Sequence, residues 1–350
     1  MRGLFLINII KFVCTVVGTF IGAGFASGRE IYSFFFKYGK LGIIGICISS
    51  LFIGYFLYIV IKISRKNNVE NYEEFLEILI NKKYIKNIFL YLIDIFFILS
   101  FCVMTAGFSA FLEQEFNIKK IINYIFILFF SYIILRKKTQ GIVKINKIII
   151  PIIIFFIVFI FINKIGIFNI FNFYFDKKDN LNYDYIFLIK SFLYANYNLL
   201  TVIPMVVSLS SLCKKKEHIK ISSIICSIII FILSIIIFSI LGQSSVNLEV
   251  IEMPTIFIIG GYGNIYKNIF AFIIGSAIIT TLISCGYSFL QKYEKNDKEY
   301  NKKIYILIIS AVISSNFSFS NLVNVLYPVF GALACIQNYF ILKNIIENKI

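Results

Sequence analysis

Four glycines fall within eleven residues in the string Gly18-Thr19-Phe20-Ile21-Gly22-Ala23-Gly24-Phe25-Ala26-Ser27-Gly28, inside an otherwise apolar run. Each glycine costs a helix about 1 kcal/mol relative to alanine. The spacing therefore predicts a break around Gly22–Gly24, where freed N–H groups could face an anion such as a carboxylate and freed carbonyls a cation. The pairs Gly18/Gly22 and Gly24/Gly28 also fit close helix packing through small residues, and both uses are compatible. A second irregular string is Tyr194-Ala195-Asn196-Tyr197-Asn198-Leu199-Leu200-Thr201-Val202-Ile203-Pro204. Pro204 removes a helical donor and crowds the carbonyl of Leu200. A second break is expected here, with Tyr194, Asn196 and Asn198 beside it; a Pro-kinked helix is the alternative. Thr280-Thr281-x-x-Ser284 supplies three hydroxyls, of which Thr280 and Ser284 share one helical face. Such oxygens suit a hard cation, although Ser and Thr also bond to their own helix carbonyls. Glu30 and Asp94 are the carboxylates expected within the membrane, where ionisable groups face cavities or partners. Arg29 and Glu30 are read as a mutual pair or an external gate, and the partner of Asp94 must come from another helix.

These residues are carried by long apolar segments. The 350 residues are 59% hydrophobic and 15% charged, and the mean hydropathy is +0.87. Soluble domains sit near 45–50% and 25%, so the chain is read as an integral membrane protein. Its 40 Phe and 22 Tyr exclude a disordered chain. Spans of about 20 apolar residues are expected near 4–38, 41–63, 87–112, 118–135, 142–163, 185–211, 219–242, 265–290, 303–318 and 321–345. The fold class is all-α, a polytopic helical bundle, since alternating barrel strands are not visible. Between spans, 64–86 reads as a short amphipathic helix around Tyr72–Leu79, and 166–184 and 244–263 read as polar external loops. Met1-Arg2 opens directly into an apolar run longer than a signal peptide's, with no small-x-small site after it.

Lys and Arg are unevenly shared between alternate loops. The segments 64–86, 136–147, 212–220 and 291–303 hold nineteen, against seven in the opposite set. That bias places the first set and both termini in the cytoplasm. It also accounts for most of the net charge of +16 without nucleic acid. The partners expected are the lipid bilayer and a small solute. Seven cysteines lack any C-x-x-C spacing and His218 is the single histidine, which argues against a disulfide framework or a zinc site. No G-x-S-x-G or H-E-x-x-H string occurs, so an enzyme is not expected.

The two irregular helices are the first and sixth of ten, so each opens a group of five: 1–165 and 185–350, joined by 166–184. An odd number of spans per group inverts the second. Paired discontinuous helices in inverted repeats mark a large class of secondary transporters. The string Gly18-x-x-Ile21-Gly22-Ala23-Gly24-Phe25 resembles the first-helix motif of the amino acid–polyamine–organocation superfamily. Extended through Arg29-Glu30-Ile31, it resembles the bacterial YkvI-type membrane proteins. The resemblance implies the LeuT-type five-plus-five fold with broken first and sixth helices. It also implies a solute carboxylate at the amides of Gly22, Ala23 and Gly24, with Phe25 beside them. A sodium site would join the Gly18 and Ile21 carbonyls to hydroxyls among Thr280, Thr281 and Ser284. The function expected is cation-coupled transport of a small amino-acid-like solute, driven by Na⁺ or H⁺ and without another cofactor. A channel, and a receptor or scaffold retaining the fold without transport, remain the rivals.

Overall fold

The computed structural model describes residues 2–166, 185–244, 246–249, 251, 253–314 and 319–348. Among them no strand occurs. The chain folds as α1 (Arg2–Phe20), α2 (Ala23–Ala26), α3 (Arg29–Phe34), α4 (Lys40–Lys66), α5 (Tyr72–Leu79), α6 (Lys83–Phe116) and α7 (Lys120–Leu135), then α8 (Lys138–Ile160), α9 (Ile186–Leu209), α10 (Lys216–Leu241), α11 (Pro254–Gly260), α12 (Asn264–Leu290), α13 (Asp297–Ser314) and α14 (Phe319–Asn348). The expected loop 166–184 lies outside the described residues beyond Gly166.

Seven of these helices are long and apolar enough to cross a bilayer: α4, α6, α8, α9, α10, α12 and α14. Apolar segments of this length are stable in lipid because a helix satisfies every backbone group internally. The expected first span is realised as α1, α2 and α3, and α7 is a shorter apolar helix. The expected ninth span falls on α13, whose first two turns carry five charged side chains; its second half exposes Tyr305, Ile309, Val312 and Ile313. On α7, Ile121, Ile125 and Phe129 are exposed four residues apart. Such an apolar ridge is stable against lipid and costly in water.

Two helices form the middle of the bundle. In α9 and α12, 83% of the most apolar window is buried, against 33% in α8 and 39% in α14. α6, α1 and α4 pack directly on this centre. The packing also recurs in pairs. α1 meets α8 as α9 meets α14; α4 meets α9 as α10 meets α1; α6 meets α7 as α12 meets α13. The short helix α5 packs on α6, and α11 packs on α12.

The four basic segments gather at one end. Lys295 in 291–303 lies 3.9 Å from Glu74 of α5, and Tyr300 donates to the Leu135 carbonyl at 2.8 Å. α4 packs on the turn Ser210–Leu212 that precedes the third basic segment. At the opposite end, Lys267 pairs with Glu115 at 3.0 Å. The N-cap of α5 explains its start: Asn71 Oδ1 accepts from the Glu74 N–H at 2.9 Å, and Glu74 accepts in return from the Glu70 N–H at 3.2 Å. Its apolar face is buried rather than interfacial, and Tyr72 donates to Gln337 Oε1 of α14 at 3.0 Å.

One sequence expectation is corrected here. α9 runs unbroken from Ile186 to Leu209 with Pro204 inside it. Asn198 donates to the Tyr194 carbonyl at 2.9 Å and Thr201 to the Tyr197 carbonyl at 3.3 Å. Both bonds return to carbonyls one turn back, and α9 is held by packing against α1, α4, α12 and α14.

Candidate functional site

The first span breaks where the glycines predict. The last regular bond of α1 runs from the Ile21 N–H to the Val17 carbonyl at 2.8 Å. The Gly22 N–H turns instead to the Phe20 carbonyl at 2.9 Å, and Gly22 adopts an extended conformation at φ −95°, ψ −173°. In a continuous helix that N–H would bond to the Gly18 carbonyl, so the break frees this acceptor. The Thr281 hydroxyl of α12 takes its place, reaching the Gly18 carbonyl at 3.3 Å and the Ile21 carbonyl at 2.9 Å. A side chain on Gly22 would press on Thr281, whose Cγ2 lies 3.3 Å from the Cβ position. The glycine thus allows both the break and the approach.

The three expected hydroxyls separate. Thr281 alone bridges to α1; Thr280 bonds to the Ala277 carbonyl of its own helix at 2.9 Å. Ser284 Oγ is buried and has no hydrogen-bond partner. Two carbonyls and one hydroxyl therefore converge in a buried place. Oxygen donors of this kind suit a hard cation, with the hydroxyl rotating to accept.

Beyond the break, α2 gives way to α3 through Gly28, which takes the left-handed region at φ +79°. α3 then presents Glu30 inward at 4% exposure. Its carboxylate lies over Gly24, where a Cβ would come 2.7 Å from Glu30 Cγ and 2.9 Å from Cδ. Arg29 turns the other way and donates to the Leu248 and Ile251 carbonyls at 3.1 and 3.2 Å. Glu30 and Arg29 therefore do not pair with each other. Thr255 of α11 secures the same segment, its hydroxyl donating to the Ala26 carbonyl at 2.8 Å and its N–H to the Ser27 carbonyl at 3.0 Å.

Beside the break lies an enclosed cavity. α1 contributes Thr19 and Phe20, α3 contributes Glu30, and α6 contributes Ser100 and Met104. The central helices add Tyr197, Asn198, Thr201, Thr281 and Cys285, while α14 adds Tyr327 and Phe330. Its volume, counted as space open to the centre of a water molecule, is ≈ 10 Å³, about what one water needs. The site is closed in this conformation. A larger groove of ≈ 600 Å³ opens between the ends of α4, α5 and α14, away from the break.

Of the residues singled out by sequence, Gly22, Glu30, Asn198 and Thr281 line the cavity. Gly18 and Ile21 lie beside it through Thr281. Ala23, Gly24 and Phe25 form α2 and are buried. Tyr194 packs its ring on Phe34 and Phe35, with centroids 5.3 and 4.8 Å away. Asn196 faces α14, accepting from Asn338 Nδ2 at 2.6 Å and donating to Cys335 Sγ at 3.0 Å. Asp94 is paired with Lys292, the partner from another segment that its position required. Sequence reasoning missed Tyr197, Tyr327 and Phe330; Tyr197 and Tyr327 stack with centroids 4.3 Å apart. Tyr197 stood within the quoted α9 string, whereas nothing local distinguishes Tyr327.

A bundle of long apolar helices packed around one broken helix is the architecture of an integral membrane protein. No family model matches the chain. It is 25% identical over 335 residues to the uncharacterised membrane protein YkvI of Bacillus subtilis (strain 168), covering 90% of both chains. It is 25% identical over 326 residues to the uncharacterised protein YyaD of the same organism, covering 93% of both. In structure it is similar to a Na⁺-coupled sialic acid symporter in its substrate-bound outward-open state. That match has a TM-score of 0.67 at 16% identity and covers 94% of this chain and 76% of the other. A single-residue mutant of the Eremococcus coleocola manganese transporter gives 0.65 at 13% identity, covering 98% and 78%. The resemblance carried by the glycine string is thus matched along the chain and in the fold.

Proposed function

We propose that this protein is a secondary transporter of the bacterial cytoplasmic membrane, moving a small amino-acid-like solute by alternating access and coupled to a cation. The observation that carries this reading is the break at Gly22 with Thr281 on the two α1 carbonyls, beside a closed cavity. A discontinuous helix at mid-depth is where such proteins bind solute and coupling ion. Na⁺ is the coupling ion this oxygen set favours. The fold shared with a Na⁺-coupled symporter and a manganese transporter supports the class.

The recurring helix contacts support ten spans in two groups of five, with α1–α8 and α9–α14 as inverted repeats. The unbroken α9 departs from the symmetric pattern, so of the two irregular spans only the first is discontinuous. The gathering of basic segments at one end supports a topology with both termini cytoplasmic. Arg29, held on the 248–251 carbonyls, and the Asp94–Lys292 pair are read as closures at the external and cytoplasmic ends.

The test is uptake of a labelled amino-acid and amine panel into proteoliposomes, with Na⁺ and proton gradients imposed separately. Accumulation that follows the Na⁺ gradient is the expected result. Accumulation driven only by protons overturns the ion assignment, and downhill flux of small ions without accumulation overturns the transporter reading in favour of a channel.

A further inference from the structure

We propose that the cavity beside the break recognises the protonated amine of its solute through Glu30, and that a carboxylate on the solute is not needed for binding. The inference rests on the reading of this cavity as the transport site and names the chemistry of what enters it.

Glu30 is 4% exposed, lines the cavity, and its Oε2 has no hydrogen-bond partner. The Tyr327 hydroxyl is its neighbour but also lacks a bond of normal geometry. Among the described lining residues there is this one carboxylate and no Lys, Arg or His. A buried carboxyl group is costly to ionise alone, and a cationic solute at the unbonded Oε2 supplies the charge that offsets this cost. The walls suit the same group. Tyr197, Tyr327 and Phe330 present aromatic rings that attract an ammonium or its methylenes. Ser100, Asn198 and Thr201 offer oxygens to the N–H groups that Glu30 leaves over.

A solute carboxylate meets the opposite environment. The space over Gly24 that it would use is taken by the side chain of Glu30. Bringing it alongside places two carboxylates together with no base among the described lining residues, and like charges disfavour each other's ionised form. The chain thus places its own carboxyl group at the break.

The experiment uses the full chain in lipid nanodiscs and three matched probe sets: leucine, isoamylamine and 4-methylpentanoate; valine, isobutylamine and isovalerate; phenylalanine, phenethylamine and 3-phenylpropionate. Thermal stabilisation and titration calorimetry report binding. The amine of at least one set is expected to bind, with its acid failing to. In Glu30→Gln that affinity should fall by about tenfold to a hundredfold, the worth of one charge-assisted bond. Glu30→Asp should retain part of it. Binding of acids but not amines, no binding by any amine, or equal affinity in wild type and Glu30→Gln each overturn the proposal. The amine–acid comparison on wild type alone decides the matter if Glu30→Gln does not fold. Amines that bind but never cross proteoliposome membranes would sink the transport reading and leave this recognition standing.

Discussion

Thr281→Val tests the contact on which the site depends. Valine keeps the methyl that packs on Gly22 and the branched shape, but removes the hydroxyl that serves the Gly18 and Ile21 carbonyls at 3.3 and 2.9 Å. Thr281 is 4% exposed, so water does not readily replace it. A buried acceptor left without a donor costs about 1–3 kcal/mol. One proton serves one carbonyl at a time, so the loss should stay in this range rather than double. A second quantity separates hydrogen bonding from ion binding. A ligand at a hundred times its Kd stabilises the folded state by about 2.7 kcal/mol. Thermal unfolding would be compared in sodium chloride and in choline chloride of equal ionic strength. Wild type should gain stability specifically in sodium. Thr281→Val should be less stable in choline and gain little from sodium, while Thr281→Ser should recover both. If Thr281→Val kept the whole sodium increment, the ion would not be held between α1 and α12. Undiminished stability in choline would show that the broken helix does not need this donor.

Gly24→Leu should abolish uptake, because its Cβ position already overlaps the carboxyl of Glu30; uptake at the wild-type rate would remove the site from the break. Asp94→Asn leaves Lys292, about one-fifth exposed, without its counter-charge, and should cost about 1–3 kcal/mol in a melting experiment. The reversed pair Asp94→Lys with Lys292→Asp should recover part of that loss. Tyr72→Phe removes the bond to Gln337, whose Nε2 already lacks a partner, and should lower stability by about 1–2 kcal/mol without changing the solute's Kd. In a background without native cysteines, Lys137→Cys and Lys215→Cys should react only with reagent on the cytoplasmic side, and Tyr262→Cys only from outside. Labelling of Lys137→Cys from outside would invert the topology.

The parts legible in sequence are those set by local backbone chemistry. Glycine alone explains the break at Gly22, since helix propensity is read residue by residue. The Thr281 contact was legible only through a family likeness, and even then Thr280 and Ser284 could not be told from it. The choice depends on how α12 is turned against α1, a tertiary quantity. Asp94 announced its need for a partner by charge and depth, but Lys292, Lys295 and Lys298 stood equally ready in one segment. Asn196 shows the same limit. Its polarity suggested the cavity, yet Asn338, far along the chain, claims its carbonyl oxygen. Tyr327 carried no local mark; it becomes a site residue only because α14 packs on α9.

The contrast between Gly22 and Pro204 shows what opens a helix inside a membrane. Proline removes a single donor from one turn, and α9 is packed by α1, α4, α12 and α14. The helix therefore continues through Pro204. The glycine string acts differently, because it lowers the cost of leaving helical geometry over several consecutive residues and leaves no Cβ to fill the gap. The gap can then be filled from outside α1, by Thr281 from one side and by the carboxyl of Glu30 from another. A hinge at Gly22 whose freed groups are held by a different helix responds to whatever those groups bind. An ion on the Gly18 and Ile21 carbonyls would turn the Thr281 hydroxyl from their donor into a third oxygen ligand, and a cation at Glu30 would load α3 beyond the break. On the transport reading, both events act on the two halves of one helix, so coupling between ion and solute needs no second broken helix.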